Sequence, residues 1–293
     1  MTKPTYQMLR AAAAALLLCP FLYSAPLLVS ISGDTQTGPL NGVPREVNQI
    51  STAGSSAVDL FDLGDGSQGF LGGLAYRASD GLLYSIANDG LGNNTFVNFS
   101  AAGSGAFTPA ADFLPDGFYY ALTYNPLGDV FYALYTQFLG YVTFVQIDAA
   151  AETVTPIFDH YPGAAFGVGG MTWGPSGLQG LFLNDQFQFQ IFDVDLAGQQ
   201  LNAVGQGFNA YLPGGFYYDP VGSAYYAIAV DNNAEGALVT LDPTTGGVAG
   251  QFGIGQGYYY SNLTSTGNQL TDGDGSGPGD GAAVPEPATW VLI

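Results

Sequence analysis

The sequence predicts an all-β fold built from five copies of one unit, because two short motifs return along the chain at nearly constant spacing. The apolar residues that anchor the first motif lie 49, 48, 47 and 47 residues apart, and they are Ile50, Phe99, Ile147, Val194 and Leu241. Those of the second motif lie 48, 49, 45 and 47 residues apart, and they are Leu74, Leu122, Met171, Phe216 and Leu263. A period of about 47 residues is typical of four-stranded blades arranged around an axis, so the sequence predicts a β-propeller.

Each unit contains two predicted hairpins. In the second copy, residues 121–124 and 130–132 are rich in aromatic and β-branched residues, which favour strands. The intervening residues 125–129 contain Asn, Pro, Gly and Asp, which favour a tight turn. Residues 142–148 and 153–158 then supply the third and fourth strands of the unit.

The two ends of the chain are predicted to share one blade. The repeats begin with a third and a fourth strand, over residues 45–51 and 57–62, and they end with a first and a second strand near Leu263 and Leu270. Pairing these halves removes the open sheet edges that would otherwise invite aggregation. We therefore predict five four-stranded blades over residues 43–272, closed by pairing of the N- and C-terminal strands.

The composition is typical of a globular β domain with a large excess of acidic residues. Apolar residues make up 47 % of the chain and aromatic residues 14 %, which excludes bulk disorder. Only Arg45 and Arg77 are basic after residue 33, against 24 acidic residues, so this part carries a formal charge of −22. Such a surface repels nucleic acid and anionic lipid headgroups, and it favours solubility and cations.

The N-terminus predicts an export signal. Lys3 and Arg10 precede an apolar run over residues 11–29, and Ser30-Ile31-Ser32 is a small-x-small triplet. We therefore predict a signal peptide over residues 1–32, cleaved before Gly33.

Residues 33–42 are rich in Gly, Thr and Pro, and they are predicted to be a linker rather than strands of a sixth blade. Since Cys19 is the only cysteine, the chain after the signal has no disulfide, thiol nucleophile or thiolate metal site.

The C-terminus carries a second targeting motif. A Gly/Asp-rich stretch over residues 273–283 is typical of a flexible linker, and the segment 284–293 begins Val-Pro-Glu-Pro. Pro285, Glu286 and Pro287 resemble the PEP-CTERM sorting signal of Gram-negative bacteria. In that family a transmembrane helix and an Arg-rich end follow, so the tail that stops at Ile293 is predicted to be a truncated sorting motif.

The resemblance implies an exosortase substrate that touches the membrane only transiently through this tail. It implies a protein of the cell surface or the extracellular space, in a bacterium that makes exopolysaccharide or a biofilm.

Polar loop residues form the candidate ligand site. In a propeller the loops between second and third strands share one face, and here their recurring polar residues are Asn88, Asp89, Asn184, Asp185, Asp231 and Asn232. Such oxygen atoms suit Ca²⁺ or sugar hydroxyls. The alternative interpretation is that Asn and Asp simply build tight turns.

Aromatic residues recur as well. Tyr76, Tyr124, Trp173 and Tyr218 occupy one position of successive units, which predicts packing between blades. The pair Tyr119-Tyr120 and the run 258–260 are candidates for a platform that stacks on sugars.

Three functions stay open at the level of sequence. The favoured one is a non-enzymatic propeller that binds glycan, exopolysaccharide or a protein partner, with calcium as the one candidate cofactor. The second is a glycoside-active enzyme that uses loop carboxylates, although the sequence contains no catalytic motif and only one histidine, His160. The third is a structural matrix protein without a specific ligand.

Overall fold

The computed structural model describes residues 28–34, 46–52, 57–62, 70–89, 91–100, 108–137, 141–160, 167–209, 212–230, 235–256 and 258–266. Within these ranges the protein consists of 21 strands in five antiparallel sheets. The described ranges contain no helix that is long and apolar enough to cross a membrane. The first three strands are β1 Leu28–Asp34, β2 Glu46–Ile50 and β3 Ala57–Asp62.

The next four sheets are consecutive along the chain. Blade I consists of β4 Phe70–Leu71, β5 Ala75–Arg77, β6 Leu82–Asn88, β7 Asn94–Ser100 and β8 Thr108–Ala111. Blade II consists of β9 Phe118–Asn125, β10 Val130–Thr136, β11 Val142–Asp148 and β12 Thr153–His160. Blade III consists of β13 Val168–Gly174, β14 Gly177–Leu183, β15 Phe189–Asp195 and β16 Gln200–Phe208. Blade IV consists of β17 Leu212–Asp219, β18 Ala224–Val230, β19 Glu235–Leu241 and β20 Val248–Gln256.

Blade V joins the two ends of the chain. The last strand, β21 Tyr258–Ser265, pairs with β1, and the sheet order is β21-β1-β2-β3. The predicted third and fourth strands, near residues 45–51 and 57–62, are confirmed as β2 and β3, and the predicted first strand near Leu263 is confirmed as β21. The chain is therefore a five-bladed β-propeller.

The sequence predicts the second strand of blade V near Leu270, at the C-terminal end, and this prediction is wrong. That position is occupied by β1, which pairs with β2 from Leu28 opposite Ile50 to Ser32 opposite Glu46. Leu270 lies outside the described residues. The structure therefore closes the ring with one strand from the C-terminal end and three from the N-terminal end. Periodicity missed β1 because its apolar residues merge with the apolar run that precedes it.

The propeller consequently begins at Leu28 rather than at residue 43. Gly33 and Asp34 belong to β1, so they are not part of a linker. The C-terminal segments 273–283 and 284–293 lie outside the described residues.

Five apolar clusters hold the ring together, one at each contact between neighbouring blades. The cluster between blades II and III, for example, joins Phe144 of β11 to Phe182 of β14. The repeated aromatic residues contribute as predicted: Tyr76, Tyr124, Trp173 and Tyr218 each pack against one of these clusters. Trp173 of blade III stacks on Tyr132 of blade II with ring centroids 5.9 Å apart. Burial of large side chains between successive sheets is thus the main stabilising contribution.

The axis of the propeller is filled. The anchors of the second motif, one from each blade, line a central cavity of about 10 Å³, and they are Leu74, Leu122, Met171, Phe216 and Leu263. A space of that size holds about one water molecule. A ligand larger than a water molecule therefore does not fit into this cavity.

Candidate functional site

The loops between second and third strands lie on one face of the ring. At this edge β9 begins where β10 ends, since Phe118 pairs with Thr136. The loop between β6 and β7 reaches the same edge of the next blade, because the carbonyl oxygen of Gly92 accepts the N–H of Gly117 at 2.8 Å. We call this side the loop face. The opposite side carries the hairpins between first and second strands and is called the turn face.

In blade I the predicted site residues are tied into the loop. Asn88 is 3 % exposed, and its Nδ2 donates to Oδ1 of Asn94 at 2.8 Å and to the carbonyl oxygen of Gly117 at 2.9 Å. Asp89 Oδ1 accepts the N–H of Leu91 at 2.7 Å, and its Oδ2 accepts a hydrogen bond from the Asn93 side chain. Asn88 therefore fastens blade I to blade II, while Asp89 shapes the turn.

The hydrogen bonds to Asp89 also fix its charge. The Asn93 side chain, followed by the N–H of Leu91, lowers the pKa of Asp89 below its ordinary value. The group is therefore a carboxylate at neutral pH. A glycosidase pairs a protonated general acid with an ionised carboxylate, and Asp89 fits only the second of these roles.

In blade III the pattern is similar. Oδ1 of Asn184 accepts the N–H groups of Gln186 and Gln188, both at 3.0 Å, and its Nδ2 donates to Oε1 of Gln190 at 2.9 Å. Asp185, in contrast, is exposed to solvent. The remaining two predicted residues, Asp231 and Asn232, lie outside the described residues.

The predicted residues thus share one face but sit in separate loops. Among the described residues, no three His, Cys, Asp or Glu side chains are grouped closely enough to hold a metal ion. The turn-building interpretation accounts for the amide groups of Asn88 and Asn184. It does not account for Asp185, whose side chain is exposed to solvent.

Several aromatic residues are exposed on the loop face, and of these the sequence analysis named Tyr120 but missed Phe118, Tyr141 and Phe187. Tyr141, just before β11, is 64 % exposed, and Phe187, in the loop before β15, is 69 % exposed. At the start of β9, Phe118 and Tyr120 are 41 % and 39 % exposed. Together with Leu91, which is 87 % exposed, they place large apolar side chains on the loop face of three consecutive blades.

Phe187 is held in an unusual backbone conformation. Its φ is +58°, which is rare for a bulky residue, and its N–H donates to the carbonyl oxygen of Asn184 at 3.0 Å. Such strain tends to concentrate at functional sites. The signal available in the sequence was an aromatic residue within an otherwise polar turn.

The two tyrosines of the predicted Tyr119-Tyr120 platform lie in different environments. Tyr119 is 2 % exposed and packs between blades I and II, with its ring 5.1 Å from that of Tyr135. Burial raises the pKa of Tyr119. Only Tyr120 faces outward, because successive residues of a strand point to opposite sides. The side chains of residues 258–260 lie outside what the structure describes.

His160, the only histidine of the chain, ends β12 and is half-buried. Burial lowers its pKa, so the imidazole is neutral at pH 7.

Polar contacts on the turn face link neighbouring blades. Nε of Arg77 in blade I donates to Oδ1 of Asp129 in blade II at 2.8 Å, and a second guanidinium nitrogen reaches Oδ2 at 2.5 Å. Arg77 lowers the pKa of Asp129. Between blades III and IV, the hydroxyl of Tyr225 donates to Oε1 of the buried Gln179 at 2.6 Å. These hydrogen bonds join neighbouring blades on the turn face and so stabilise the ring.

Comparisons with known proteins give no family and only distant structural likenesses. No family model matches the chain, and no curated protein matches it. Among solved structures, TolB from Acinetobacter baumannii is 13 % identical with a TM-score of 0.48, and the match covers 82 % of this chain and 56 % of that one.

In two other matches the alignment covers nearly the whole of the other protein's chain. A nidogen/laminin complex is 12 % identical over 82 % of this chain and 98 % of the other, with a TM-score of 0.49. The periplasmic gluconolactonase PpgL of Pseudomonas aeruginosa is 15 % identical over 81 % and 98 %, with a TM-score of 0.44.

Proposed function

We propose that this protein is an exported, non-enzymatic propeller that binds an extracellular glycan through its loop face. The observation that carries the proposal is the row of exposed aromatic side chains on consecutive blades, from Phe118, Tyr120 and Tyr141 of blade II to Phe187 of blade III. Monomeric proteins seldom expose such residues together unless the surface binds something.

The chemistry of this surface suits a polysaccharide. The apolar face of a sugar ring stacks on an aromatic ring, and the sugar hydroxyls bond to carboxylate oxygens. Phe187 and the exposed Asp185 offer both groups in one loop. An extended polymer contacts several blades at once, which adds weak contacts into useful affinity. Calcium bound through Asp185 and its neighbours is a candidate aid to this recognition.

The targeting motifs support the location. The basic and apolar N-terminal segment favours export, and Pro285-Glu286-Pro287 favours handling by an exosortase-type sorting enzyme. The formal charge of −22 after residue 33 suits a soluble domain outside the cell, and it disfavours nucleic acid as a partner. We accordingly propose the surface or the extracellular space of an exopolysaccharide-producing Gram-negative bacterium.

The test is titration of the purified protein with the exopolysaccharide of the producing bacterium, with and without Ca²⁺. Tyr141→Ala and Phe187→Ala should each weaken binding about 3- to 10-fold, since a ring contact contributes roughly 0.5–1.5 kcal/mol beyond its burial. The matched controls are Leu127→Ala and Val221→Ala, because these apolar residues are 87 % and 73 % exposed on the turn face. Equal loss in all four variants, or no binding by the unaltered protein, would count against the proposal.

A further inference from the structure

We propose that residues 28–34 stay in the mature protein and that any leader is cut off on the N-terminal side of Leu28. The inference concerns the processing site and rests on the export proposed above. The cut itself is hydrolysis of one peptide bond by a host signal peptidase, with water supplying the new carboxylate oxygen and the amine proton. The boundary that the sequence predicts, before Gly33, is incompatible with blade V as the structure shows it.

The first argument is the position of β1 within its sheet. On one side β1 pairs with β2, and on the other it pairs with β21, from Leu28 opposite Ser265 to Asp34 opposite Tyr258. Cleavage before Gly33 would remove five of its seven residues. It would leave both β2 and β21 with unpaired edges in the interior of the sheet, and buried backbone groups without partners are costly.

The second argument is burial on both faces of the strand. Leu28, Val29 and Ser30 are 0 % exposed, and Ile31 is 2 % exposed. Leu28 packs in the cluster between blades IV and V, whereas Val29 and Ile31 pack in the cluster between blades V and I. Loss of β1 would thus open two of the five contacts that close the ring.

The third argument is the length of the apolar run. Taken as one segment, residues 11–29 are longer than the roughly 7–15 residues of the apolar core of a signal peptide. Assigning β1 to the propeller takes residues 28 and 29 out of this run, and the part before Ser24, residues 11–23, is thirteen residues long and fits that length. The small residues Ser24 and Ala25 then separate the leader from the strand. One apolar run therefore serves two purposes, targeting in its first part and folding in its second.

The experiment uses the full chain expressed in a Gram-negative host, with the first residue of the purified protein determined by mass spectrometry. Ile31→Ala is made in parallel, together with Leu17→Ala as a control within the leader. If β1 is retained, the mature chain starts at or before Leu28. Ile31→Ala should then lower its melting temperature by roughly 5–15 °C, because a buried Ile is truncated. Leu17→Ala should leave the melting temperature of the mature protein unchanged.

A folded protein that starts at Gly33 or later would overturn the inference. In that case Ile31→Ala and the unaltered chain would yield the same mature protein with the same melting temperature. A chain that keeps Met1 and stays in the cytoplasm would instead refute the export part of the proposed function. The effect of Ile31→Ala on that chain would still decide whether β1 belongs to the folded propeller.

Discussion

Gly73 offers a sharp test of how closely the inner strands approach one another. It has a φ of +117°, and its carbonyl oxygen accepts a hydrogen bond from the Ser85 hydroxyl at 2.5 Å. A Cβ at this position would lie 2.3 Å from the backbone nitrogen of Leu122 and 2.5 Å from its Cβ. Leu122 lies on the inner strand of the next blade, so Gly73→Ala must either push two blades apart or shift their backbones.

The size of the effect follows from two contributions. The left-handed backbone conformation costs an alanine about 1–2 kcal/mol, and overpacking of a close contact adds about 1–3 kcal/mol. We therefore expect Gly73→Ala to reduce the free energy of unfolding by about 2–5 kcal/mol. The matched control is Gly177→Ala, where φ is +106° and nothing lies within 4 Å of the added Cβ. This control should show the backbone contribution alone.

The assay is equilibrium unfolding in urea, followed by tyrosine and tryptophan fluorescence, with the m-value compared between variants. The difference between the two variants isolates the blade-to-blade contact, and it should be about 1–3 kcal/mol. If Gly73→Ala and Gly177→Ala agree within about 0.5 kcal/mol, the close approach of the inner strands is refuted.

Three further outcomes are expected. Tyr225→Phe should cost about 1–3 kcal/mol in urea unfolding, because Oε1 of the buried Gln179 loses the hydrogen bond that the tyrosine hydroxyl donates. Tyr119→Phe should be neutral or stabilising in the same assay, since the buried Tyr119 hydroxyl has no hydrogen-bond partner among the described residues, and a loss equal to that of Tyr225→Phe would contradict this. Arg77→Ala should make the melting temperature depend less on pH in the acid range. Arg77 lowers the pKa of Asp129 in the folded protein. The interaction therefore stabilises the protein above the ordinary aspartate pKa of about 3.9, and it is lost as the pH falls through the lowered value. Melting temperatures of the two proteins should therefore differ most near pH 6 and converge near pH 2, and a constant difference would argue against this origin.

The repeats of the sequence were enough to predict blades I to IV. Their strands are local in the chain, so alternation of apolar residues and the turn residues between them fix both the strands and their order. Asp148, for example, ends the predicted third strand of its unit, and its Oδ1 accepts the N–H groups of Ala150 and Ala151 at 3.0 and 2.9 Å. The repeated aromatic residues likewise predicted the contacts between blades.

The candidate site was predicted only in part. Recurrence at one position of the repeat located the loops on one face. It did not show that the side-chain amides of Asn88 and Asn184 form hydrogen bonds within and between the loops themselves. Nor did it separate Tyr119 from Tyr120, although one is buried and the other faces solvent. Exposure of a loop side chain such as Phe187 depends on the backbone conformation of its turn, which composition does not specify.

The sequence by itself determined the number of blades, the strand pattern of blades I to IV and the strongly acidic character. These properties depend on local periodicity and composition, which are read along the chain. Closure by pairing of the two ends was predicted, but the tertiary structure alone decided which strands close the ring, because pairing of β1 with β21 joins Leu28 to Ser265 across almost the whole length of the propeller. It also decided which apolar residues are left outside. Leu28 is buried between two blades whereas Tyr141 faces solvent, because burial depends on which sheets come together in space.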